Sequence, residues 1–310
     1  FIDSVYGVCP RVPGYTALET AARFTGPTAD GVKGVTRWDV TSAHSSASAR
    51  VEILLPAAYA LSTARRWPVL YVLPAYEGTP AGVEDGQAYI RALGWHSTQE
   101  CIVVQVAYPT APWVGNHASD ATKAQRRCIL ETVQPFIEAA YQGAPERSAR
   151  CLIGYSKSGN GGMSLLLEHQ DTIGYAALWD SPLMFQSADY GIFDSATAFG
   201  TNGAWDTWLA RDLLVASPPP DAYARLIITG DDASNLYGPG PSGAYAGDEH
   251  TAGFAALCTA EGVARTLDNS LAGAHNWSSG WLATALAALV TAKNAGDAAD
   301  PPSDAGSEFA

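Results

Sequence analysis

The chain has 310 residues, 47% of them apolar and 16% charged, enough for a folded domain with a sizeable core. Its 31 acids against 18 Lys and Arg give a net charge of −13, which argues against a nucleic-acid partner and against docking on an anionic membrane, since both need a basic face. No apolar run approaches the ~20 residues of a membrane span, and the longest, Leu282 to Val290, reads as part of a terminal helix.

Residues 1–34 show no clear periodicity and are expected to wrap the domain edge. Residues 36–41 alternate and residues 50–56 are β-rich, with a small polar stretch between them, so they predict an antiparallel hairpin at a sheet edge. Residues 67–74 (WPVLYVLP) are almost continuously apolar, the pattern of a central strand covered on both faces. A turn-rich loop beginning Ala75-Tyr76-Glu77-Gly78 follows. A helix is expected within 82–94, a strand over 100–106 and a helix over 123–141, where apolar residues recur at helical spacing. Strands over 149–153, 173–180, 224–230 and 264–267 then alternate with helices up to 169, over 251–262 and over 281–293. Such alternation implies βαβ units and a mostly parallel sheet. The aromatic-rich stretch 181–220, with a helix over 205–214, reads as a cap. Residues 1–293 therefore read as a single domain. Residues 294–310, rich in Ala, Asp, Pro and Ser, read as a disordered tail whose Gly306-Ser-Glu-Phe resembles a cloning remnant.

The stretch Gly154-Tyr155-Ser156-Lys157-Ser158-Gly159 sits between a short apolar strand and a helix. A strand, a sharp turn and a helix form the setting in which a serine becomes an exposed nucleophile, with small neighbours because the two backbones come close. Here Ser158 occupies the position that is usually Gly.

A serine hydroxyl needs a base. Of six histidines, His275 alone lies in a Gly/Ala loop between the last predicted strand and the last helix, in the chain order serine, acid, histidine. The acid should lie at a strand's carboxyl end. Asp232, after the strand ending at Gly230, is favoured, and Asp180, Asp231, Asp248 and Glu249 are the alternatives. The backbone N–H groups of Lys157 and Tyr76 are expected to form the oxyanion hole. Trp113 and Trp277 are the candidate substrate-binding aromatics.

The five cysteines are scattered without metal-site spacing, and Cys101, Cys151 and Cys258 read as buried thiols. No metal and no cofactor is expected. Phe1 reads as a processed or engineered start. Low Lys and abundant Trp, Tyr, Ser, Thr and Gly suit a secreted or periplasmic protein, with a cytoplasmic one left open.

At Gly154-Tyr-Ser-Lys-Ser-Gly159, Trp179-Asp-Ser-Pro182 and His275-Asn-Trp-Ser-Ser-Gly-Trp281, the chain resembles the putative-esterase branch of the α/β-hydrolases. That branch includes feruloyl and acetyl esterases, S-formylglutathione hydrolases and mycolyltransferases, and bacterial members with a Ser-Lys-Ser-Gly elbow are the nearest in pattern. The resemblance spans roughly residues 35–290. It implies an α/β-hydrolase fold with a sheet of roughly eight strands, and serine esterase chemistry with Ser156 as nucleophile and His275 as base. Plant-polysaccharide and polyester ester bonds are candidate substrates. Acyl transfer to a sugar hydroxyl and a catalytically silent carbohydrate-binding module are the alternatives.

Overall fold

The computed structural model of the chain describes residues 22–31, 34–59, 65–78, 84–230, 247–271 and 273–299. Among these residues the strands β1 (Arg23–Asp30), β2 (Val35–Ser42), β3 (Ser45–Leu54), β4 (Val69–Leu73), β5 (Ile102–Ala107), β6 (Arg150–Tyr155), β7 (Tyr175–Trp179), β8 (Leu226–Thr229) and β9 (Arg265–Asp268) form one sheet. Their spatial order is β1-β2-β3-β5-β4-β6-β7-β8-β9. The first three strands and β5 pair antiparallel in succession. From β5 across to β9 every pairing is parallel.

The parallel strands β4 to β8 are apolar almost throughout because both faces of the sheet are covered. The main helices are α1 (Gly86–Ala92), α2 (residues 125–140), α3 (Ser156–Glu168), α4 (Ala210–Ala216), α5 (Gly247–Ala260) and α6 (Trp281–Ala299). Leu165 and Leu166 of α3 and Phe136 of α2 join Val69, Tyr71 and Leu152 in the core on one face. Trp281, Leu282 and Leu286 of α6 join Leu70, Val72 and Ile153 on the other. The polar Gln105 inside β5 is satisfied by α1: it accepts from the Gln87 amide at 3.1 Å and donates to Asp85 at 3.1 Å.

Three elements depart from the sequence reading. β1 is an additional edge strand in a segment expected only to wrap the domain. It is largely exposed, so its residues carry no apolar alternation to betray it. The helix expected over 123–141 contains a π-helical turn at Cys128–Val133. The last helix continues six residues past its expected end, where an Asp297–Lys293 pair spans one turn and Gly296 packs against Tyr175. Residues 300–310 lie outside the described part of the chain.

The stretch 181–220 folds into short helical turns around a third core of Trp113, Phe185, Phe199, Trp205 and Trp208. The helix expected over 205–214 is two helices, Asn202–Asp206 and α4.

Candidate active site

In the spatial order the chain moves from β4 outward to β5 and then crosses back to β6 on the other side of β4. The carboxyl ends of β4 and β6 therefore flank the point where the winding reverses, which is where open parallel sheets bind ligands. Tyr155 ends β6 and Ser156 begins α3. Ser156 has φ +56°, a left-handed conformation that costs a non-glycine residue about 1–3 kcal/mol and persists only where its surroundings enforce it. The surroundings are tight. A Cβ on Gly159 would come within 2.0 Å of Ser181 Oγ, and one on Gly161 within 2.5 Å of the Trp113 carbonyl. The small residues of the motif are thus required by contact between α3 and the loops beside it.

β7 ends in the same manner. Asp180 follows Trp179 with φ +42°, is 3% exposed, and donates its amide N–H to Thr229 O at 3.0 Å. Its carboxylate Oδ2 lies 2.7 Å from His275 Nδ1. With Nδ1–H donating to Asp180, the other ring nitrogen is left as a base. The His275 ring also meets Tyr155 edge-on at 5.0 Å, so the loop after β9 delivers the imidazole to the elbow itself. Tyr155 is held in turn by its hydroxyl, which donates to Glu84, and by Trp277 at 5.3 Å.

The structure therefore brings His275 together with Asp180, one of the alternative acids. The favoured Asp232 and its neighbour Asp231 lie outside the described residues, and so do the side chains of Asp248 and Glu249 at the start of α5. The remaining histidines are engaged elsewhere. His44 pairs with Glu131, His117 accepts the amides of Ser119 and Asp120, and His169 lies beside Glu168 at the end of α3. His96 is on the short turn before β5.

Lys157 follows Ser156, and Tyr76 sits in the loop after β4, as expected. The Lys157 ammonium lies 5.8 Å from the centre of the Tyr76 ring, which is 49% exposed, so the two segments expected to supply the oxyanion donors are adjacent.

The two tryptophans expected to bind substrate are buried. Trp113 is fully buried, packs edge-on against Trp205 and Trp208, and donates Nε1–H to Phe193 O at 2.9 Å. Trp277 is 1% exposed, lies between Tyr155 and Trp281, and would be 2.7 Å from any Cβ on Gly86. Against the expectation of substrate-binding rings, both are buried core residues.

Sequence reasoning missed the side chains that fix the acid loop. Asn160, buried four residues after Ser156, donates Nδ2–H to Pro182 O at 2.9 Å. His250, buried on α5, accepts the Met184 amide at Nδ1 at 3.0 Å and meets Phe185 edge-on at 5.0 Å. Burial holds the His250 pKa down to about 4, against smaller upward pulls from Asp189 and Asp180. Neither carried a signal in the sequence, since Asn160 lies between Gly159 and Gly161 and His250 between Glu249 and Thr251. Among the described residues no group of three or more His, Cys, Asp or Glu side chains could hold a metal ion. Nor is any helix there long and apolar enough to cross a membrane.

The sheet, its flanking helices and the strand–elbow–helix at its switch point define the α/β-hydrolase fold. The chain belongs to the family described as "Putative esterase", whose model matches residues 42–289, and this membership makes it a carboxylic ester hydrolase. Solved structures share the fold at low identity. An S-formylglutathione hydrolase from Agrobacterium tumefaciens superposes with a TM-score of 0.66 at 14% identity, over 86% of this chain and 98% of that one. MPT51 of Mycobacterium tuberculosis gives 0.62 at 18% identity, over 83% and 97%. A ferulic acid esterase from the anaerobic fungus Anaeromyces mucronatus gives 0.58 at 14%, over 93% and 98%. A search of the curated proteins finds no match.

Proposed function

We propose that the protein is a serine esterase that works through an acyl-enzyme, with Ser156 as nucleophile, His275 as general base and Asp180 as the orienting carboxylate. The observation that carries this reading is the 2.7 Å contact between His275 Nδ1 and Asp180 Oδ2 beside a serine with φ +56°. Asp180 fixes the imidazole so that Nε2 takes the serine proton as Oγ attacks the ester carbonyl. The carbonyl oxygen becomes an oxyanion and is met by the N–H groups of Lys157 and Tyr76. His275 then gives the proton to the departing alcohol. Water, deprotonated by the same imidazole, releases the acid and restores Ser156.

In this reading Asp180 takes the role for which Asp232 was favoured from sequence. The carbohydrate-binding alternative leaned on loop aromatics, and the burial of Trp113 and Trp277 withdraws that support.

Turnover of short-chain p-nitrophenyl esters, with covalent capture of a fluorophosphonate, tests the proposal. Ser156→Ala should abolish both. A Ser156→Ala protein that still turns over ester or still takes up one equivalent of the probe overturns it.

A further inference from the structure

From the elbow, Ser158 reaches back to the last residue of β4 and Lys157 to the loop that follows it. Ser158 is fully buried, and its hydroxyl proton is shared between Leu73 O at 2.9 Å and Tyr155 O at 3.0 Å. Leu73 is the last residue of β4, and Tyr155 is the last residue of β6. One hydroxyl therefore joins the ends of the two strands from which the two oxyanion donors project. Lys157 adds a second tie, its ammonium lying 5.8 Å from the centre of the Tyr76 ring, within cation–π range. At its far end the loop is pinned by the Gly78 amide, which donates to Tyr108 O at 2.6 Å. Ser158 is also the position where the common elbow pattern carries glycine, which has no hydroxyl to give.

We propose that Ser158 and the Lys157 ammonium are positioning groups for the oxyanion hole, locking the loop after β4 onto the elbow so that the amides of Tyr76 and Lys157 converge on one point. This rests on the reading of Ser156 as nucleophile and of those two amides as oxyanion donors. An oxyanion hole acts through preorganisation, because donors that must move during the reaction lose most of their advantage over water. Backbone donors on two different segments need something to fix their separation. In this chain Ser158 holds one side of the gap from below, and Lys157 holds the other from the solvent side.

The test is steady-state kinetics with p-nitrophenyl butyrate, together with inhibition by a trifluoromethyl ketone, which adds to the nucleophile and places an oxyanion in the hole. Ser158→Ala removes one buried oxygen and should lower kcat by about tenfold or more with KM within about twofold. The inhibition constant of the ketone should rise by the same factor, while that of the product carboxylate stays level. Lys157→Met should lower kcat by about three- to fivefold, and Lys157→Arg, which keeps a cation over the ring, should recover most of that loss. Tyr76→Leu should match Lys157→Met, and the double variant should be no worse than either single one.

If Ser158→Ala folds poorly, Ser158→Gly and the Lys157 series carry the same readouts. Ketone affinity that stays level in Ser158→Ala or Ser158→Gly and in Lys157→Met overturns the proposal. So does a kcat loss that the ketone does not share. Ser156→Ala, measured in parallel, reports on the underlying reading by itself. A dead Ser156→Ala beside unaffected Ser158 and Lys157 variants removes only the positioning role, and a live one removes the nucleophile.

Discussion

Ser156 and Asp180 stand one residue beyond the paired ends of β6 and β7, where Tyr155 is in register with Trp179, and both turn with positive φ, +56° and +42°. Adjacent parallel strands thus leave the sheet with the same kink at the same level. The kinks set Ser156 and Asp180 side by side at the edge where the loop after β9 brings in His275. The acid's place is fixed by strand register, and the 95 residues separating it from His275 in sequence are irrelevant to it.

This arrangement separates the candidate acids. Asp180→Asn keeps the side chain's shape but removes the charge that stabilises the imidazolium, so kcat should fall by about 10³–10⁴-fold. Asp232→Asn should stay within about twofold of the parent. Comparing kcat for the two variants decides the matter, and a crippled Asp232→Asn beside an active Asp180→Asn would return the role to Asp232.

The contact between Gly159 and Ser181 predicts a sensitive position that makes no chemical contribution. A Cβ there would lie 2.0 Å from Ser181 Oγ, which is itself held by donating to Trp179 O at 3.0 Å. In Gly159→Ala the Ser181 hydroxyl must leave Trp179 O while α3 and the acid loop part by a few tenths of an ångström, or the two segments must shift further if it stays, at a cost of about 1–3 kcal/mol. The urea midpoint should drop and activity should fall with it, because the loop that shifts carries Asp180. Parental stability together with parental activity in this variant would show that the two segments have room to part.

Trp113 and Trp277 offer the opposite test. Trp113→Ala opens a cavity among Trp205, Trp208 and Phe185 and should cost about 3–5 kcal/mol. Trp277→Phe should be milder, since the Trp277 Nε1–H makes no hydrogen bond among the described residues. Neither substitution should change KM for a soluble ester by more than about twofold. A large KM change with an unchanged melting temperature would put the rings back in contact with substrate.

What the sequence revealed and what it concealed divide along physical lines. The strands β4 to β8 were legible because burial on both faces leaves almost nothing but apolar residues. The elbow at Ser156 was legible because a sharp strand-to-helix turn demands small neighbours, and the approach of the His275 loop to it because that loop follows the last strand. The His275–Asp180 pairing was not, since several strand ends carry acids and only register shows which one lies beside the elbow. Trp113 and Trp277 misled because an aromatic in a loop can face a pocket or close a core. Here the stretch 181–220 folds over Trp113, and Gly86 and Trp281 close over Trp277. Edge strand β1 escaped notice because an exposed strand needs no apolar alternation.

His250 predicts how stability responds to acid. Its Nδ1 accepts the Met184 amide, so protonation would both bury a charge and break the bond that holds the end of the acid loop. Asp180 and Asp189 face the ring and favour its charged form, but burial outweighs them and the pKa falls from 6.5 to about 4. Above pH 6.5 the ring is neutral in both folded and unfolded chains and has no effect. Between pH 6.5 and about 4 the unfolded chain takes up a proton that the folded one refuses, so stability declines. Below that the loss levels off at about 3 kcal/mol. Asn at this position presents an oxygen acceptor near Nδ1 and does not titrate. His250→Asn should therefore hold most of its pH 7 stability and lose less of it between pH 6.5 and 4.5 than the parent does, as read from urea midpoints across that range. Parallel decline of the two proteins would mean that His250 is already charged in the fold or that the loop does not depend on it.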